Sequence, residues 1–395
     1  MSFSKLGLSA PIVKAVSELG YRQPTDIQKQ AIPIILSGRD LMAAAQTGTG
    51  KTASFVLPIL EKFSANTESA LRGRSIRALI LTPTRELAVQ VEVNIAQYAK
   101  YLNLSSLAVY GGVDSQAQKE RLEQGVDILV ATPGRLLDMA YQRALFFDDL
   151  EILVLDEADR MLDMGFINDL NKIIERLPGH RQSLLFSATL TDDVRYLADT
   201  VYDDAAEITL SPHKKTTPKI NQWLITVDKD QKSALLSYFI NEQQWDQALI
   251  FVEKKHSAAK LVEQLGKRGI IADSIHSGRS QAVREKILAD FKAGNLRFLI
   301  ATGIAARGID IDGLSRVVNY DLPYPAEDYI HRIGRTGRAG ASGEAISFVS
   351  RDDFKNLCAI ESLLGKVIQR KEVDAFPVRK IVPISILNYR PKHST

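Results

Sequence analysis

The hydrophobic pattern alternates short apolar runs with longer stretches in which apolar residues recur at helical spacing. In the first half, the apolar runs are residues 41–45, 78–81, 107–110, 128–131, 152–155 and 184–186. Strands that are apolar at every position are typical of parallel sheets covered by helices on both faces. Residues 85–101, between two of these runs, have a helical period. The pattern therefore predicts an α/β domain.

The alternation pauses near residues 203–220 and then restarts. The pause contains Ser-Pro-His-Lys-Lys-Thr-Thr-Pro-Lys without periodicity, which is typical of a linker. Beyond it, the strand candidates are residues 248–252, 270–275, 298–301, 317–319 and 345–349, and the helix candidates are residues 281–291 and 352–364. We predict tandem α/β domains at 31–208 and 220–365, a linker at 209–219, and a loosely packed basic tail at 366–395.

The composition is that of a globular protein, with 45% apolar and 25% charged residues. A length of 395 residues fits two domains. The sequence has no apolar run of about 18 residues, so no membrane span is predicted, and the N-terminus lacks a secretory pattern. Because Cys358 is the only cysteine, no intramolecular disulfide can form, and we expect a reducing, cytoplasmic location.

The net charge of +3 conceals an asymmetry between the two halves. Residues 1–210 carry 21 basic and 27 acidic side chains, a balance of −6, whereas residues 211–395 carry 29 and 20, a balance of +9. Opposite charges favour the approach of two flexibly joined domains, and a basic second half suits ligands that bear phosphate groups.

A glycine-rich loop between a strand and a helix gives the first chemical signal. It follows the 41–45 run and opens the next helix, the context in which backbone N–H groups and a helix N-terminus cradle phosphates. Lys51 would reach the β- and γ-phosphates, and the Thr52 hydroxyl would bind Mg²⁺. The predicted phosphate contacts are Ala45, Gln46, Thr47, Gly48, Thr49, Gly50, Lys51 and Thr52.

Acidic residues follow the apolar run at 152–155 directly. Ligands of α/β sheets bind outside the carboxyl ends of the strands, so Asp156 and Glu157 would face the phosphate loop. A carboxylate there can hold Mg²⁺ through water, and its neighbour can deprotonate an attacking water. We assign Asp156 to the metal and Glu157 to the role of hydrolytic base.

The phosphate loop and Asp156-Glu157-Ala158-Asp159 together resemble the DEAD-box ATP-dependent RNA helicases. The family's other ordered motifs are matched by residues 20–28, Pro83-Thr84-Arg85-Glu86-Leu87, Gly111-Gly112, Thr132-Pro133-Gly134-Arg135, Ser187-Ala188-Thr189 and His331-Arg332-Ile333-Gly334-Arg335-Thr336-Gly337-Arg338. The resemblance covers about residues 1 to 365 and implies two tandem RecA-like domains. The initial Met-Ser-Phe and the segment Leu-Asp-Glu-Ala-Asp-Arg-Met-Leu-Asp-Met-Gly-Phe most resemble the bacterial RhlE-like group.

For adenine, the resemblance implies that residues 1–30 form the recognition segment. The Gln28 amide can accept a hydrogen bond from N6 of adenine and donate one to N7. Phe3 can stack on the ring, and Arg22 belongs to the same segment. These contacts would select ATP over GTP.

From the second domain, the resemblance implies three further contacts to ATP. Asp310 would hold the ribose, since a carboxylate accepts from hydroxyl groups. Arg335 and Arg338 would act as arginine fingers that neutralise charge on the γ-phosphoryl group. Closure of the two domains on ATP would then complete the hydrolytic site.

For RNA, the resemblance implies contacts that fix the backbone without reading bases. These would be made by Pro83, Thr84, Arg85, Gly112, Thr132, Pro133, Gly134, Arg135 and Thr302, and coupling to ATP by Ser187, Ala188, Thr189 and His331. RNA, as a single strand or short duplex of any sequence, is therefore the expected partner. Ribosome-assembly or RNA-decay proteins are further candidate partners, and the basic tail could add nonspecific RNA affinity.

The chain departs from the family at three motifs. Gly303 follows Thr302 where the family commonly has an acid, and His276-Ser277-Gly278 replaces the usual His-Gly. Phe251-Val252-Glu253-Lys254-Lys255 departs from the usual Phe-x-Thr but keeps Phe251, which can pack on a motif arginine. We expect ATP hydrolysis to survive these changes and the coupling to be weaker or rerouted.

Two alternatives stay open at this point. A DNA-directed translocase would use the same two-domain engine, and contacts to the RNA 2′-hydroxyl would distinguish it. An ATP-gated RNA clamp or annealing factor with slow turnover is kept open by Gly303. A P-loop kinase or GTPase switch is disfavoured by the tandem domains, the late arginines and Gln28.

Overall fold

The computed structural model describes residues 2–45, 48–64, 76–202, 204–210, 220–306, 313–337, 343–385 and 387. The chain divides into two compact units, Met1–His213 and Lys214–Thr395. Among the predicted site residues, Gln46, Thr47, Asp310 and Arg338 lie outside the described residues. Within the described ranges, no helix is long and apolar enough to cross a membrane.

The first unit contains a seven-stranded sheet whose neighbouring strands are all parallel. Its strands are β1 (Leu41–Ala44), β2 (Ala78–Leu81), β3 (Ser106–Val109), β4 (Ile128–Ala131), β5 (Ile152–Asp156), β6 (Gln182–Ser187) and β7 (Ala206–Thr209). Their order across the sheet is β3-β4-β2-β5-β6-β1-β7. Every apolar run of the first half is a strand, which confirms the predicted α/β class.

Helices separate these strands along the chain. They are α1 (Ala10–Glu18), α2 (Asp26–Leu36), α3 (Lys51–Ser64), α4 (Arg85–Tyr98), α5 (Ser115–Glu123), α6 (Pro133–Tyr141), α7 (Ala158–Asp163), α8 (Ile167–Ile174) and α9 (Asp192–Asp199). In β4, Ile128 and Val130 pack into one hydrophobic cluster, and Leu129 and Ala131 pack into another. Since successive strand residues point to opposite faces, this double burial is the reason that the runs are apolar throughout.

The second unit repeats the same sheet. Its strands are β8 (Ile220–Thr226), β9 (Ala248–Val252), β10 (Ala272–Ile275), β11 (Phe298–Thr302), β12 (Arg316–Asn319), β13 (Gly343–Val349) and β14 (Gln369–Lys371), again all parallel. The order β10-β11-β9-β12-β13-β8-β14 matches that of the first sheet strand for strand. The two units are therefore tandem RecA-like domains, as the resemblance implied.

The helices of the second unit are α10 (Lys232–Glu242), α11 (Lys255–Gly266), α12 (Gln281–Lys292), α13 (Gly303–Ala306), α14 (Glu327–Ile333) and α15 (Phe354–Leu364). Trp223 and Trp245 both lie in the core beside Phe239. Their indole N–H groups are bonded within the domain, so neither tryptophan is exposed for base stacking.

For residues 366–385, the structure contradicts the expectation of a loosely packed tail, and residues 386 and 388–395 lie outside the described residues. Residues 366–385, called the C-terminal strap below, add β14 to the sheet beside β8 and bury Val382 in a hydrophobic cluster. The Arg379 backbone N–H and Nε both donate to one Asp228 carboxylate oxygen, at 3.0 and 2.8 Å. Arg370 donates to the Val382 carbonyl at 2.7 Å. Basic residues that suggested a solvated tail instead hold the strap on the domain.

Candidate functional site

The predicted site residues of the first unit lie at one edge of its sheet, because the carboxyl ends of parallel strands meet at the same edge. The neighbouring strands β5, β6 and β1 lead into one group of predicted residues, which we call the nucleotide half: Asp156, Glu157, Ser187 and the phosphate loop. The neighbouring strands β3, β4 and β2 lead into the RNA half: Gly112, Thr132 and Thr84. The two halves adjoin where β2 pairs with β5.

Two buried charges of opposite sign lie in the nucleotide half. Lys51, the first residue of α3, is 6% exposed, and its Nζ has no hydrogen-bond partner among the described residues. Asp156, the last residue of β5, is also buried, and its Oδ1 lacks a partner in the same described ranges. Burial raises the pKa of Asp156 to about 7, against the opposing effect of the Lys51 charge. Because unpartnered buried charges are costly, this pair indicates a ligand site.

Glu157 is held in a left-handed backbone conformation, with φ 56° and ψ 50°, at the N-cap of α7. A residue with a side chain adopts this conformation rarely, at a cost of about 1 kcal/mol. Glu157 Oε2 accepts from Arg160 Nη1 at 2.8 Å, and both side chains are buried. The turn and the ion pair together fix the carboxylate at the edge. No role was predicted for Arg160, although its spacing of three residues from Glu157 was a visible signal.

Asp159 connects the loop after β5 with the loop after β6. Its Oδ2 accepts from the backbone N–H groups of Ala188 and Thr189 and from the Thr189 hydroxyl, each at 3.1 Å. The Ser187 hydroxyl donates to the Thr189 carbonyl at 2.6 Å and folds the same loop. The predicted coupling residues are thus tied to the acidic strand end through Asp159. Sequence analysis gave that residue no role, although it closes the Asp-Glu-Ala-Asp motif.

The Gln28 amide is fixed by the protein at both ends. Its Oε1 accepts from the Thr25 N–H at 2.9 Å, and its Nε2 donates to the Gly50 carbonyl at 3.1 Å. An amide group has two acceptor lone pairs and two donor hydrogens, so one of each remains for a base. Gly50 has a φ of 92°, and a side chain there would collide with the Gln28 amide. That close approach requires glycine just before Lys51.

The other predicted adenine contacts differ in exposure. Arg22 is exposed in the loop between α1 and α2. Phe3 is 4% exposed and packs in the cluster that contains Ile12 and Ile35. The stacking of the Phe3 ring on adenine stays a prediction.

Arg85 and Gly112 come together in the RNA half from two different loops. Gly112 has a φ of 84°, and a Cβ at this position would collide with the Arg85 guanidinium. Thr84 caps α4, since its Oγ1 accepts from the Leu87 N–H at 3.2 Å, and its own hydroxyl hydrogen can still be donated. Pro83, just before it, is buried.

Predicted residues also form the start of α6. The Thr132 side chain makes no capping bond, Pro133 is buried, and Gly134 is exposed with open space beside its Cα. Arg135 is used by the protein, because it donates to Gln118 Oε1 at 2.9 Å and to a carbonyl of the loop after β3 at 3.1 Å. Arg135 therefore fixes α6 in place, directly after the exposed Gly134.

In the second unit, Arg332 on α14 is a buried guanidinium at the carboxyl edge of the sheet. Its Nη1 donates to the Asp321 carbonyl at 2.8 Å, and its Cζ lies 4.9 Å from the centre of the Phe251 ring. The latter contact confirms the predicted packing of Phe251 on a motif arginine. A Cβ at Gly303 would lie 3.4 Å from Arg332 Nη2, so Gly303 borders the same group. No separate role was predicted for Arg332.

The remaining predicted residues of the second unit differ in exposure. Arg335 is buried just beyond α14, and its carbonyl accepts from the Leu314 N–H at 3.2 Å. His331 is partly exposed, with Nδ1 3.9 Å from the Asp328 carboxylate. Thr302 is partly exposed at the end of β11. Thr302 thus ends β11, whereas Arg335 lies beside Leu314, which precedes the start of β12.

The departure at Ser277 lies in the loop after β10. His276 Nδ1 accepts from the Gly278 N–H at 3.2 Å, and Ser277 between them is exposed. Burial, followed by the charge of Arg279 and two other basic residues, lowers the pKa of His276. The extra serine is therefore accommodated in a tight turn closed by the histidine.

Both units match known protein families. Residues 25–197 match the DEAD/DEAH box helicase family, and residues 231–340 match the helicase conserved C-terminal domain. The ATP-dependent RNA helicase CshA of Listeria monocytogenes is 41% identical over 367 residues, which cover 93% of this chain and 69% of that protein. The ATP-dependent RNA helicase RhlB of Pseudomonas syringae is 40% identical over 384 residues, which cover 96% and 97%.

Solved structures give the same relationship. Dbp5 of S. cerevisiae bound to RNA and ADP BeF3 is 33% identical and aligns over 94% of this chain and 96% of that chain, with a TM-score of 0.83. A DEAD box protein from the hyperthermophile Methanococcus jannaschii is 38% identical over 94% of this chain and 99% of that chain, with a TM-score of 0.52.

Proposed function

The chain belongs to the DEAD-box helicase family, and from that premise we propose that its ATP cycle locally separates short RNA duplexes or remodels RNA–protein complexes. It is an ATP-dependent RNA helicase with tandem RecA-like domains. One observation carries the proposal: the nucleotide half and the RNA half share the carboxyl edge of one sheet. A ligand on either half can therefore act on the other through adjacent loops.

For hydrolysis, we propose that Lys51 neutralises charge on the β- and γ-phosphates and that Glu157 acts as the base. Glu157 would take a proton from water, whose oxygen then forms a bond to the γ-phosphorus as the bond to the β–γ bridging oxygen breaks. The products are ADP and inorganic phosphate. The ion pair with Arg160 and the left-handed turn support this role, because they fix the Glu157 carboxylate before ATP arrives.

The residues at this site can supply oxygen ligands for Mg²⁺. Asp156 offers a buried carboxylate oxygen without a partner in the described ranges, and Thr52 offers a hydroxyl at the start of α3. Mg²⁺ in nucleotide sites is held by one or two such oxygens together with phosphates and water. When bound, the ion would supply charge neutralisation on the phosphates. We propose Asp156, partly through water, and Thr52 as its protein ligands.

We propose that the adenine base is read by the remaining donor and acceptor of Gln28, with Arg22 exposed nearby in sequence. From the second domain, Asp310 would hold the ribose, and Arg335 and Arg338 would act on the γ-phosphoryl group, with His331 linking the domains. These assignments rest on the matched motifs. The buried setting of Arg335 supports a fixed rather than a solvated guanidinium.

For RNA, we propose backbone contacts from Thr84, Arg85, Gly112, Thr132 and Gly134 in the first domain, and from Thr302 in the second. Hydroxyls, glycine N–H groups and one guanidinium suit phosphate oxygens and carry no base information. Pro83, Pro133 and Arg135 would shape these loops, since two are buried and the third is bonded within the protein. Binding should therefore weaken steeply with salt and depend little on sequence.

A comparison of nucleic acids tests the function. ATP hydrolysis is measured with no nucleic acid, with single-stranded RNA, and with single-stranded DNA of the same sequence and length. We expect RNA to raise the rate by at least about tenfold and DNA by far less. Equal stimulation by DNA would favour the DNA-directed translocase. RNA binding gated by ATP with no stimulated turnover would favour the slow clamp or annealing factor, which Gly303 keeps open.

Three finer assignments complete the proposal. We place the chain in the RhlE-like group from its first residues and its acidic-motif segment, in the cytoplasm from its single cysteine, and beside ribosome-assembly or RNA-decay proteins from the roles of its family. Copurification of tagged chain with ribosomal particles or with nucleases, before and after nuclease treatment, tests the last assignment. Recovery of neither class contradicts it.

A further inference from the structure

Two buried lysines occupy equivalent places in the two domains. The strand orders match, so β8 corresponds to β1 and β12 corresponds to β5. Lys51 is the first residue of the α-helix that follows β1, and Lys232 is the first residue of α10, the α-helix that follows β8. They are 6% and 2% exposed. The second domain therefore carries a counterpart of the phosphate-loop lysine without a phosphate loop.

The partners of the two lysines differ. Lys51 Nζ has no hydrogen-bond partner in the described residues. Lys232 Nζ donates to the Tyr320 carbonyl at 2.9 Å and to Asp353 Oδ2 at 3.0 Å, and it lies 3.8 Å from Asp321 Oδ1. The second lysine is thus satisfied by the chain itself, at the end of the strand that corresponds to the one carrying Asp156.

The segment that contacts Lys232 also contacts Arg332. Tyr320 and Asp321 directly follow β12, and the Asp321 carbonyl accepts from Arg332 Nη1 at 2.8 Å. Asp321 Oδ2 accepts from the Glu253 N–H at 2.9 Å, and the Asp321 N–H donates to the Phe251 carbonyl at 3.1 Å. The Tyr320–Asp321 segment is therefore clamped between Lys232 on one side and the contacts of Arg332 on the other.

We propose that Lys232 is a positioning residue for ATP hydrolysis: it sets the Tyr320–Asp321 segment, whose carbonyl orients Arg332 and with it α14, the helix that Arg335 follows. This inference rests on the proposed function, in which Arg335 acts on the γ-phosphoryl group. It assigns a present role to a lysine that the sequence motifs do not include. A small shift of α14 would move the arginine that follows it.

The groups around Lys232 are arranged to stabilise its buried positive charge. Asp353 accepts from the Ser350 N–H at 2.8 Å and from the Ser350 hydroxyl at 2.7 Å as well as from Lys232. Burial acts to raise the pKa of Asp353, but Lys232 and Ser350 hold it below the usual range. The Tyr320 ring centre lies 5.8 Å from the ammonium. All these groups are part of the second domain, so the arrangement needs no ligand.

Three variants of the full chain separate positioning from stability. Lys232→Met removes the charge and keeps the side-chain length, Lys232→Arg keeps the charge, and Asp353→Asn removes the negative charge of a partner that does not contact Arg332. We expect Lys232→Met to lower the RNA-stimulated kcat by about tenfold or more, with the KM for ATP changed by less than about twofold. Lys232→Arg should recover most of the kcat. Asp353→Asn should lower the thermal unfolding midpoint and keep kcat within about twofold.

A double-mutant cycle with Arg332→Lys tests the route. If Lys232 acts through Arg332, Lys232→Met should cost less than about twofold in kcat once Arg332 is replaced. Should Lys232→Met not fold, the Lys232→Met/Asp353→Asn double variant, which leaves one carboxylate fewer unpaired, takes its place. The proposal is overturned by an unchanged kcat in a folded Lys232→Met, by equal kcat losses in Asp353→Asn, or by full additivity. Absence of RNA stimulation in the unchanged chain would instead contradict the proposed function.

Discussion

The two domains share one strand order but differ in the hydrogen bonding of the buried charged residues at corresponding strand ends. At the end of β1 and β5, Lys51 and Asp156 are buried with polar atoms that no described residue satisfies. At the corresponding ends of β8 and β12, Lys232 and Asp321 are bonded to neighbouring chain segments. The same fold thus builds a ligand site in one domain and a closed structural junction in the other. The functional difference between the domains is therefore whether these buried charges are bonded within the protein or remain available to a ligand.

The loops that follow β1 and β8 show the same contrast. After β1, Gly50 holds a positive φ and lies against Gln28 where a side chain would collide. After β8, Asp228 accepts from two N–H groups of Arg379 on the C-terminal strap. The chain itself therefore fills the second junction, and the first is lined by glycine and a helix N-terminus.

Removal of the phosphate-loop lysine should give the largest effect on activity. We expect Lys51→Ala to lower kcat for ATP hydrolysis by about 10²–10³-fold, because its ammonium would neutralise charge that develops on the phosphates. Its unfolding free energy should hardly fall, since the ammonium has no bond in the described residues. Steady-state ATPase and urea unfolding measure both. Lys62→Ala, at the other end of α3, is the control. A stable Lys51→Ala variant with normal turnover would contradict the claim that the first domain keeps this lysine for a ligand.

Loss of the proposed base should affect turnover almost as strongly. We expect Glu157→Gln to lower kcat by about 10²–10³-fold, because the amide cannot take a proton from water. As a control, Glu151→Gln, just before β5, should hydrolyse ATP at the rate of the unchanged chain. Single-turnover hydrolysis with saturating RNA is the appropriate measurement. Substantial hydrolysis by Glu157→Gln would assign the base to another group.

Asp159 tests the link between the loops after β5 and β6. Asp159→Ala removes the acceptor shared by the Ala188 and Thr189 N–H groups. We expect duplex separation to fall by about tenfold and ATP hydrolysis by less, because coupling between sites is typically worth about 1–3 kcal/mol. Strand separation of a short RNA duplex and ATPase are compared in one preparation. Asp163→Ala, exposed on the same helix, serves as the control, and equal losses in both assays would contradict a coupling role.

Sequence reasoning predicted what depends on local pattern. Strands such as Ile128–Ala131 are apolar on both faces and were found from that alone. The strands β7, β8 and β14 were missed because exposed and half-buried residues interrupt any continuous apolar run in them. The strap was misjudged because Arg379 binds Asp228, 151 residues earlier, and no local pattern encodes that pairing.

The site was predicted to a similar degree. Motif residues of the first domain lie together at one edge because parallel strands bring their ends together. The sequence does not reveal the left-handed turn at Glu157, the bonds from Asp159, or the burial of Phe3. Each depends on where a side chain packs in three dimensions, and burial of an aromatic ring cannot be told from ligand stacking by spacing alone.

Gly303 should give the smallest effect. A Cβ there would lie at ordinary contact distance, 3.4 Å, from Arg332 Nη2. We therefore expect Gly303→Asp to fold and to change RNA stimulation of ATPase by no more than about threefold, upward if the new carboxylate pairs with Arg332. Gly179→Asp, at an open position, controls for added charge. A loss of more than tenfold would show that the glycine itself is needed.

The central claim is that ATP and RNA bind to one edge and strengthen each other. Its most direct test is the RNA affinity of Glu157→Gln, which should bind ATP without hydrolysing it, measured by fluorescence anisotropy with ATP, with ADP and with no nucleotide. We expect RNA to bind about 10-fold or more tightly with ATP than with ADP, and ATP affinity to rise by the same factor when RNA is present. RNA affinity that is identical in all three nucleotide states would contradict the account.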